Sequence, residues 1–140
     1  DEGTLICNFE SPEVPFPIFI RKQNQVLISI SPRDFSFILE ENLSQIFNIL
    51  ARHHVKVNVM QNSAISFSIC VDDDQMLEKQ CISSLQKDYS VKYNKNLELY
   101  TIRHYTQEAI DSIQKGKKIL MEQKTRNMVH LVLEVPLIQE

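Results

Sequence analysis

The sequence predicts an α+β fold of ferredoxin-like βαββαβ units, with antiparallel sheets and helices on one face. An amphipathic helix stripe covers residues 43–51, and two strands of alternating apolar and polar residues follow it at 55–60 and 64–71. The same kind of pattern restarts near residue 97. With 140 residues, of which 43% are hydrophobic, the chain suits one ordinary domain or two very small ones.

The first unit begins with an alternating strand at residues 26–31, which Pro32 ends. Asn42 is then predicted to cap the helix, and Gln45, three residues later, completes a variant of the capping box. The two strands that follow form a hairpin across a polar turn at 61–63. Three aspartates, Asp72 to Asp74, open a second helix over about residues 74–88. A strand at 89–93 completes the unit.

The second unit has one strand too few. It contains a strand at 97–103, a helix that Thr106 caps and Gly116 stops, and a hairpin of residues 118–122 and 128–135. An additional strand at 16–21 precedes the polar residues 22–25, which read as a turn. If that strand completes the second unit, the first unit is inserted into the sequence of the second.

Composition excludes several functional classes. The net charge of −3 gives no basic footprint for nucleic acid or for an anionic membrane surface. No apolar run approaches the roughly 20 residues of a membrane helix, and the three cysteines form no CxxC pair. The two glycines, Gly3 and Gly116, exclude a Walker loop and a dinucleotide-binding fingerprint. We therefore expect a cytoplasmic protein with no nucleic-acid or membrane partner.

Several polar residues have an ordinary structural interpretation beside a functional one. His53 and His54 are helix neighbours that point apart, so we expect no shared metal. The aspartates at 72–74 suit a helix start better than a cation site. Tyr100 and Tyr105 suit core or interface packing, because the chain has no pattern of alternating basic and aromatic residues that would support RNA binding. For Asn58, Asn62 and Ser63, in the first hairpin strand and its turn, the sequence pattern alone favours ordinary turn chemistry.

The segment LARHHVKVNVMQNSAISFSICV, together with TLICN and LELYTIRHYT, resembles the C-terminal regulatory region of aspartokinase, a tandem pair of ACT domains. The resemblance implies a first ACT domain at residues 24–95, inserted in a second one formed by 14–23 and 96–136. It implies that residues 1–13 are a linker from an N-terminal kinase domain, which holds the catalytic residues and uses ATP and Mg to phosphorylate L-aspartate. This chain itself is then expected to have no catalytic residues, no cofactor and no metal.

The resemblance also implies a homodimer formed through the first ACT domain, with a feedback amino acid at the interface. Backbone N–H groups near Asn42 and Leu43, at the helix start, suit the effector's carboxylate. Asn58, Asn62 and Ser63 offer partners for its ammonium and its side chain. The implied effector-binding residues are Ser36, Glu41, Asn42, Leu43, Val57, Asn58, Asn62 and Ser63.

Two positions bear on the choice of effector. Similar chains that lysine inhibits have glycine in place of Glu41 and aspartate in place of Asn58. A neutral amide binds an ammonium less strongly than a carboxylate does. Lysine remains the expected effector, with Glu40 or Glu41 as substitutes for the missing charge, and threonine is the alternative.

Two other functions remain open. If the replacement of glycine by Glu41 and of aspartate by Asn58 reflects a loss of amino-acid sensing, the chain is a structural dimerisation module. A ferredoxin-like enzyme of the acylphosphatase kind would need a loop with an arginine that cradles phosphate. Arg33 is the arginine of the first strand–helix loop, but that loop has no glycine.

Overall fold

Two long strands run through the whole molecule. A computed structural model describes residues 16–34 and 36–134. In it, β1 (Ile18–Pro32) and β4 (Tyr89–Arg103) have 15 residues each. The other elements are α1 (Glu40–Arg52), β2 (Val57–Asn62), β3 (Phe67–Asp72), α2 (a π-helical turn, Leu77–Ile82, continued by Ser83–Gln86), α3 (Gln107–Gln114), β5 (Lys118–Lys124) and β6 (Met128–Glu134).

The six strands form one antiparallel sheet in the order β2-β3-β1-β4-β6-β5. The helices pack on one face of this sheet, and the opposite face has an apolar cluster of its own. The predicted α+β class with helices on one face is confirmed. The two predicted sheets share β1 and β4, and for that reason they are continuous.

Each half of the sheet has the strand order of a ferredoxin-like unit. In one half, residues 25–30 of β1 lie between β3 and the first part of β4. In the other half, residues 18–22 of β1 pair with residues 99–103 of β4, whose other edge pairs with β6. The additional N-terminal strand therefore supplies the strand missing from the second unit. The predicted insertion of one unit in the other is confirmed.

The polar residues at 22–25 do not form the predicted turn, and this expectation was wrong; the polar residues at 94–96 likewise continue a strand. They lie inside β1 and β4, where the pairing register shifts between Lys22 and Leu27. Asn24 and Asn96 take left-handed backbone angles, with φ of 56° and 60°. Asparagine tolerates this region, and an irregular residue of this kind lets a strand bend and continue. The bulges lie beside the predicted unit boundaries at 23/24 and 95/96, which remain predictions.

Three apolar clusters hold the layers together. The first joins α1 and α2 to the sheet, and Ile28, Ile46 and Ile69 are fully buried in it. The second joins α3 to β4 and β6. The third lies on the opposite face, where Val59 of β2 packs with Met121 of β5 although the two strands are opposite edges of the sheet. The sheet is therefore curled, and Gln123 Nε2 on β5 donates to the Met60 carbonyl on β2 at 2.9 Å.

Helix α1 begins earlier than predicted. Its N-cap residue is Leu39, whose side chain has no acceptor, and Asn42 lies inside the first turn. The Asn42 Oδ1 accepts from the Leu39 backbone N–H at 2.9 Å, so Asn42 closes the helix start from within. Gln45 completes no capping box, because its side chain accepts from the Tyr89 hydroxyl. The prediction of Asn42 as N-cap was wrong, since residue preference does not fix the register of a helix start.

The remaining helices and hairpins follow the sequence with adjusted ends. Thr106 caps α3 as predicted, and its Oγ1 accepts from the Ala109 N–H at 3.0 Å. Gly116 follows α3 with φ of 73°, a left-handed angle that glycine adopts without strain. Helix α2 occupies residues 77–86 of the predicted 74–88, and the strand predicted at 64–71 begins at Phe67.

Some predictions concern residues that the structure does not describe. The linker at 1–13 and the outermost residues of the second unit, at 14–15 and 135–136, lie outside the described ranges. Within those ranges, no helix is long and apolar enough to cross a membrane.

Candidate functional site

The loop before α1 lies against the turn between β2 and β3. The Ile38 backbone N–H donates to the Ala64 carbonyl at 2.9 Å, which fixes the helix start beside the polar turn. Six of the eight predicted site residues lie in the loop before α1, in its first turn, or at the β2–β3 turn and the last residue of β2. They are Ser36, Glu41, Asn42, Leu43, Asn62 and Ser63. We call this region the helix-start end of the first unit.

The first turn of α1 has open backbone donors. Leu39 provides no side-chain cap. The backbone N–H groups of Glu40, Glu41 and Asn42 make no hydrogen bond among the described residues. Such groups, at the positive end of a helix, favour an anion. The Leu43 N–H is not open, because it already donates to the Leu39 carbonyl at 3.1 Å. The Leu43 side chain packs against the core of the first unit.

The polar groups at the helix-start end differ in whether their hydrogen-bonding atoms are already used within the chain. The Ser36 N–H donates to Asp34 Oδ1 at 3.1 Å, and hydrogen bonds from Ser36 lower the pKa of that carboxyl. The Ser63 hydroxyl is engaged with Ser66 across the turn, at 3.1 Å between the two Oγ atoms. Asn62 is exposed, and its amide makes no hydrogen bond within the described part of the chain. Asn62 and the exposed carboxylate of Glu41 are therefore the side chains most available to a ligand.

The other two predicted residues lie at the opposite end of β2. Val57 packs on the core of the first unit. Asn58 is four residues from Asn62, a separation of about 13 Å along a strand. The structure therefore does not bring Asn58 together with the helix start within one chain.

Asn58 belongs instead to a cluster of polar side chains, which we call the amide cluster: Lys22, Gln25, Asn58 and Asp72. The Asn58 Nδ2 donates to Gln25 Oε1 at 2.7 Å and to Asp72 Oδ1 at 2.8 Å. Its Oδ1 accepts from Lys22 Nζ at 2.9 Å. Every polar hydrogen and oxygen of the Asn58 amide therefore has a partner already.

The amide cluster surrounds a buried glutamine. Gln25 is 1% exposed, and its Nε2 donates to Asp72 Oδ1 at 2.9 Å. Its Oε1 also accepts from the thiol of Cys70 at 3.4 Å, and burial raises the pKa of that thiol to about 12. Hydrogen bonds from Gln25, and then from Asn58, lower the pKa of the Asp72 carboxyl. Sequence patterns did not reveal this cluster, because Asn58 is 36 residues from Lys22 and 33 from Gln25.

Several polar residues for which both a structural and a functional interpretation were possible contact other residues of the chain. His53 Nε2 lies 3.3 Å from Ser84 Oγ, and the Tyr105 hydroxyl donates to the Thr125 carbonyl at 3.3 Å. Tyr100 is buried in the second cluster. Arg33 donates to the Gln86 carbonyl at the end of α2. Among the described residues, no group of three or more histidine, cysteine or acidic side chains is placed to hold a metal ion.

Comparison with solved structures gives the fold a context. Aspartokinase III of E. coli, in complex with lysine and aspartate, superposes with a TM-score of 0.70 and 20% identity over 92% of this chain. A C-terminal domain from Porphyromonas gingivalis, assigned to the regulatory part of aspartate kinase, gives 0.69 and 19% over 85%. The aspartate kinase of Clostridium acetobutylicum gives 0.64 and 19% over 83%. The chain has the fold of an aspartokinase regulatory region.

The extent of the match differs between these aspartokinase structures. The chain spans 32% of the E. coli chain and 31% of the Clostridium chain, but 86% of the Porphyromonas domain. Neither the protein-family models nor the curated proteins that were searched contain a match. The similarity therefore concerns one regulatory third of a longer kinase, and it is a similarity of fold.

Proposed function

We propose that this chain is the regulatory region of an aspartokinase and binds a feedback amino acid at its helix-start end. The shared fold supports the family, and the Ile38–Ala64 contact, which joins open helix donors to a polar turn, supports the site. The parent protein phosphorylates L-aspartate to 4-phospho-L-aspartate, the first step toward lysine, threonine and methionine. Its kinase domain supplies the catalytic residues and uses ATP and Mg.

The open backbone donors at the helix start support a proposed mode of amino-acid binding. Its carboxylate accepts from the open N–H groups of Glu40, Glu41 and Asn42, where the helix dipole also favours negative charge. Asn62 supplies a free amide from the facing turn. Binding changes the parent's activity only if the effector prefers one of two states of the dimer.

Lysine is the proposed effector, and its side-chain ammonium is assigned to the helix start. Asn58 is an unsuitable partner for that ammonium, because the Lys22 ammonium already occupies its Oδ1 at 2.9 Å and would repel a second one. Glu41 and Glu40 are exposed and make no ion pair among the described residues. Threonine remains the alternative, since it needs no second carboxylate.

Calorimetric titration of the chain with lysine, threonine and methionine tests this proposal. If lysine is the effector, Glu41→Gln weakens its binding by about threefold to tenfold, because a charged hydrogen bond becomes a neutral one. Glu108→Gln, in the first turn of α3, is the matched control and leaves binding unchanged. If no amino acid binds while the chain is dimeric, sensing at this site is disproved.

A second copy of the chain is the proposed partner of the helix-start end. Phe37, Leu39 and Ile65 are 66%, 51% and 59% exposed there. Met60, on the edge strand β2, is also largely exposed beside them. Exposed apolar residues gathered in one place are typical of an association surface.

Sedimentation analysis of two matched variants tests this dimer. Ile65→Asp places a charge in the proposed interface and shifts the chain toward monomer. Ile18→Asp introduces the same change at a similarly exposed position at the start of β1, and it leaves the dimer intact. Equal effects of the two variants would locate the interface elsewhere.

A structural dimerisation module without sensing is the second candidate. The saturated Asn58 amide and the paired Leu43 N–H favour it, because both were expected to contact the effector. Thermal unfolding separates the two functions. A midpoint that no amino acid raises, in a chain that remains dimeric, supports the module.

A further inference from the structure

A second pocket lies at the end of the first unit away from the helix start. It has a volume of about 300 Å³ and is bounded by residues 53–56 between α1 and β2, by residues 72–74 at the end of β3, and by the first turn of α2. This size is at the lower end of the range of small-ligand pockets. Its floor contains the half-buried Val55 and the buried Leu77 and Cys81.

The polar rim of this pocket contains charges of both signs. The Lys56 carbonyl accepts from the Asp72 N–H at 3.3 Å, but the Lys56 ammonium makes no hydrogen bond or ion pair within the described ranges. Its charge lowers the pKa of Asp72, after larger effects of hydrogen bonding. The Asp73 carboxylate likewise has no partner there, since only its backbone N–H is used, by the Asn24 carbonyl at 2.9 Å. The Asp74 carboxylate is different, because it accepts from the Met76 N–H at 2.9 Å. Asp72 is also on the rim, where Gln25 and Asn58 donate to its carboxylate. The Lys56 ammonium and the Asp73 carboxylate are therefore the two rim charges without a hydrogen-bond or ion-pair partner among the described residues.

The helix that borders the pocket has unusual geometry. Leu77–Ile82 forms a π-helical turn, and this turn contributes Leu77 and Cys81 to the pocket. Such turns are rare and occur often at functional sites. Burial raises the pKa of the Cys81 thiol to about 11, so at neutral pH the thiol is uncharged. Cys81 therefore serves as an apolar contact and not as a nucleophile.

We propose that this pocket binds a small zwitterion, an α-amino acid with an apolar side chain. Lys56 receives the carboxylate, Asp73 receives the ammonium, and the side chain lies against Val55, Leu77 and Cys81. A molecule with both charges next to an apolar group matches this lining, whereas a simple anion or cation leaves one rim charge unpaired. The site is separate from the helix-start end and does not depend on whether the chain senses a feedback amino acid there.

Titration of the ¹⁵N-labelled 140-residue chain with L-leucine, followed by NMR, tests this inference. Saturable shifts are expected in the amides of residues 54–56 and 73–77. Lys56→Met and Asp73→Asn each weaken leucine binding by about tenfold or more. Lys79→Met, on the same π-helical turn but outside the pocket, and Asp88→Asn are matched controls that leave binding unchanged.

Two analogues of leucine sharpen the result. Isopentylamine lacks the carboxylate and 4-methylpentanoate lacks the ammonium, so both should bind about tenfold or more weakly. Equal binding of all three compounds would show an unselective apolar cavity and overturn the proposal. Shifts confined to residues 36–43 and 61–64 would overturn it too, while supporting the feedback site. Circular dichroism confirms that each variant is folded.

Discussion

Strand β2 has a polar side chain near each end, Asn58 near its start and Asn62 at its last residue. Asn58 is half-buried and bonded to Lys22, Gln25 and Asp72, whereas Asn62 is exposed and has no side-chain partner within the described ranges. The same residue type therefore holds the fold together at one end and remains free for a ligand at the other. A candidate site residue must therefore be judged by its unused hydrogen-bonding capacity, and not by its type or position alone.

The largest expected effect comes from removing the glutamine at the centre of the amide cluster. Gln25→Ala leaves Asn58 and Asp72 without their buried partner, and we expect a loss of about 2–3 kcal/mol in the free energy of unfolding. Urea denaturation measures this loss. Gln23→Ala, an exposed glutamine of the same bulge, should change stability by less than about 0.5 kcal/mol. If both variants lost a similar free energy of unfolding, the amide cluster would not stabilise the fold.

A smaller effect is expected when Asn58 is given the carboxylate found in similar lysine-inhibited chains. Asn58→Asp faces the Asp72 carboxylate, to which the amide now donates at 2.8 Å, and should cost about 1–2 kcal/mol of stability at neutral pH. The loss should shrink in acid, where a shared proton restores the hydrogen bond. Unfolding curves at several pH values measure this. A gain in lysine affinity would show that Asn58, and not the helix start, selects the effector.

The pH dependence of stability offers a third test of the amide cluster. Hydrogen bonds from Gln25 lower the pKa of Asp72 below its ordinary value of 3.8. Its contribution is therefore present above 3.8 and is lost as the pH falls through the lower folded-state value. Asp72→Asn should reduce stability at neutral pH by less than about 1 kcal/mol, because the side chain is 41% exposed. The difference from the natural chain should vanish in strong acid; a constant difference would contradict this.

The smallest expected effect on stability is at the free end of β2. Asn62→Ala should change the free energy of unfolding by less than about 0.5 kcal/mol, since the amide has no partner to lose among the described residues. It should nevertheless weaken amino-acid binding in calorimetry. Asn127→Ala, in the turn between β5 and β6, is the control and should alter neither quantity. Unchanged binding in Asn62→Ala would remove this residue from the proposed site.

Much of the fold followed from local sequence patterns. The apolar stripe around Ile46 and Leu50 predicted α1, and alternation predicted β2 and β3, because both periods reflect one buried face. The count of elements also predicted which strand completes the second unit. Asn24 was misread as part of a turn, since the residues that favour turns also permit bulges inside a strand.

The site was less predictable than the fold. The helix start and the turn at 61–63 were expected to meet, because consecutive elements of a βαββ unit pack together. The bonding of Asn58 could not be foreseen, since its partners come from β1 and from the end of β3. The π-helical turn at Leu77–Ile82 has no distinct sequence signal, and the pocket beside it was therefore not predicted.

The sharing of β1 and β4 by both units has a consequence for how the chain folds. Residues 25–30 of β1 meet partners at 67–72 and 91–97, so the first unit can form before the second. Residues 18–22 can pair only after residues 99–103 have been synthesised. Contacts between residues so far apart in the sequence also slow folding. During synthesis at about 5–20 residues per second, the N-terminal strand therefore spends several seconds without its partner. In that interval Phe19 and Ile20 are an exposed edge, where a chaperone or a second nascent chain can attach.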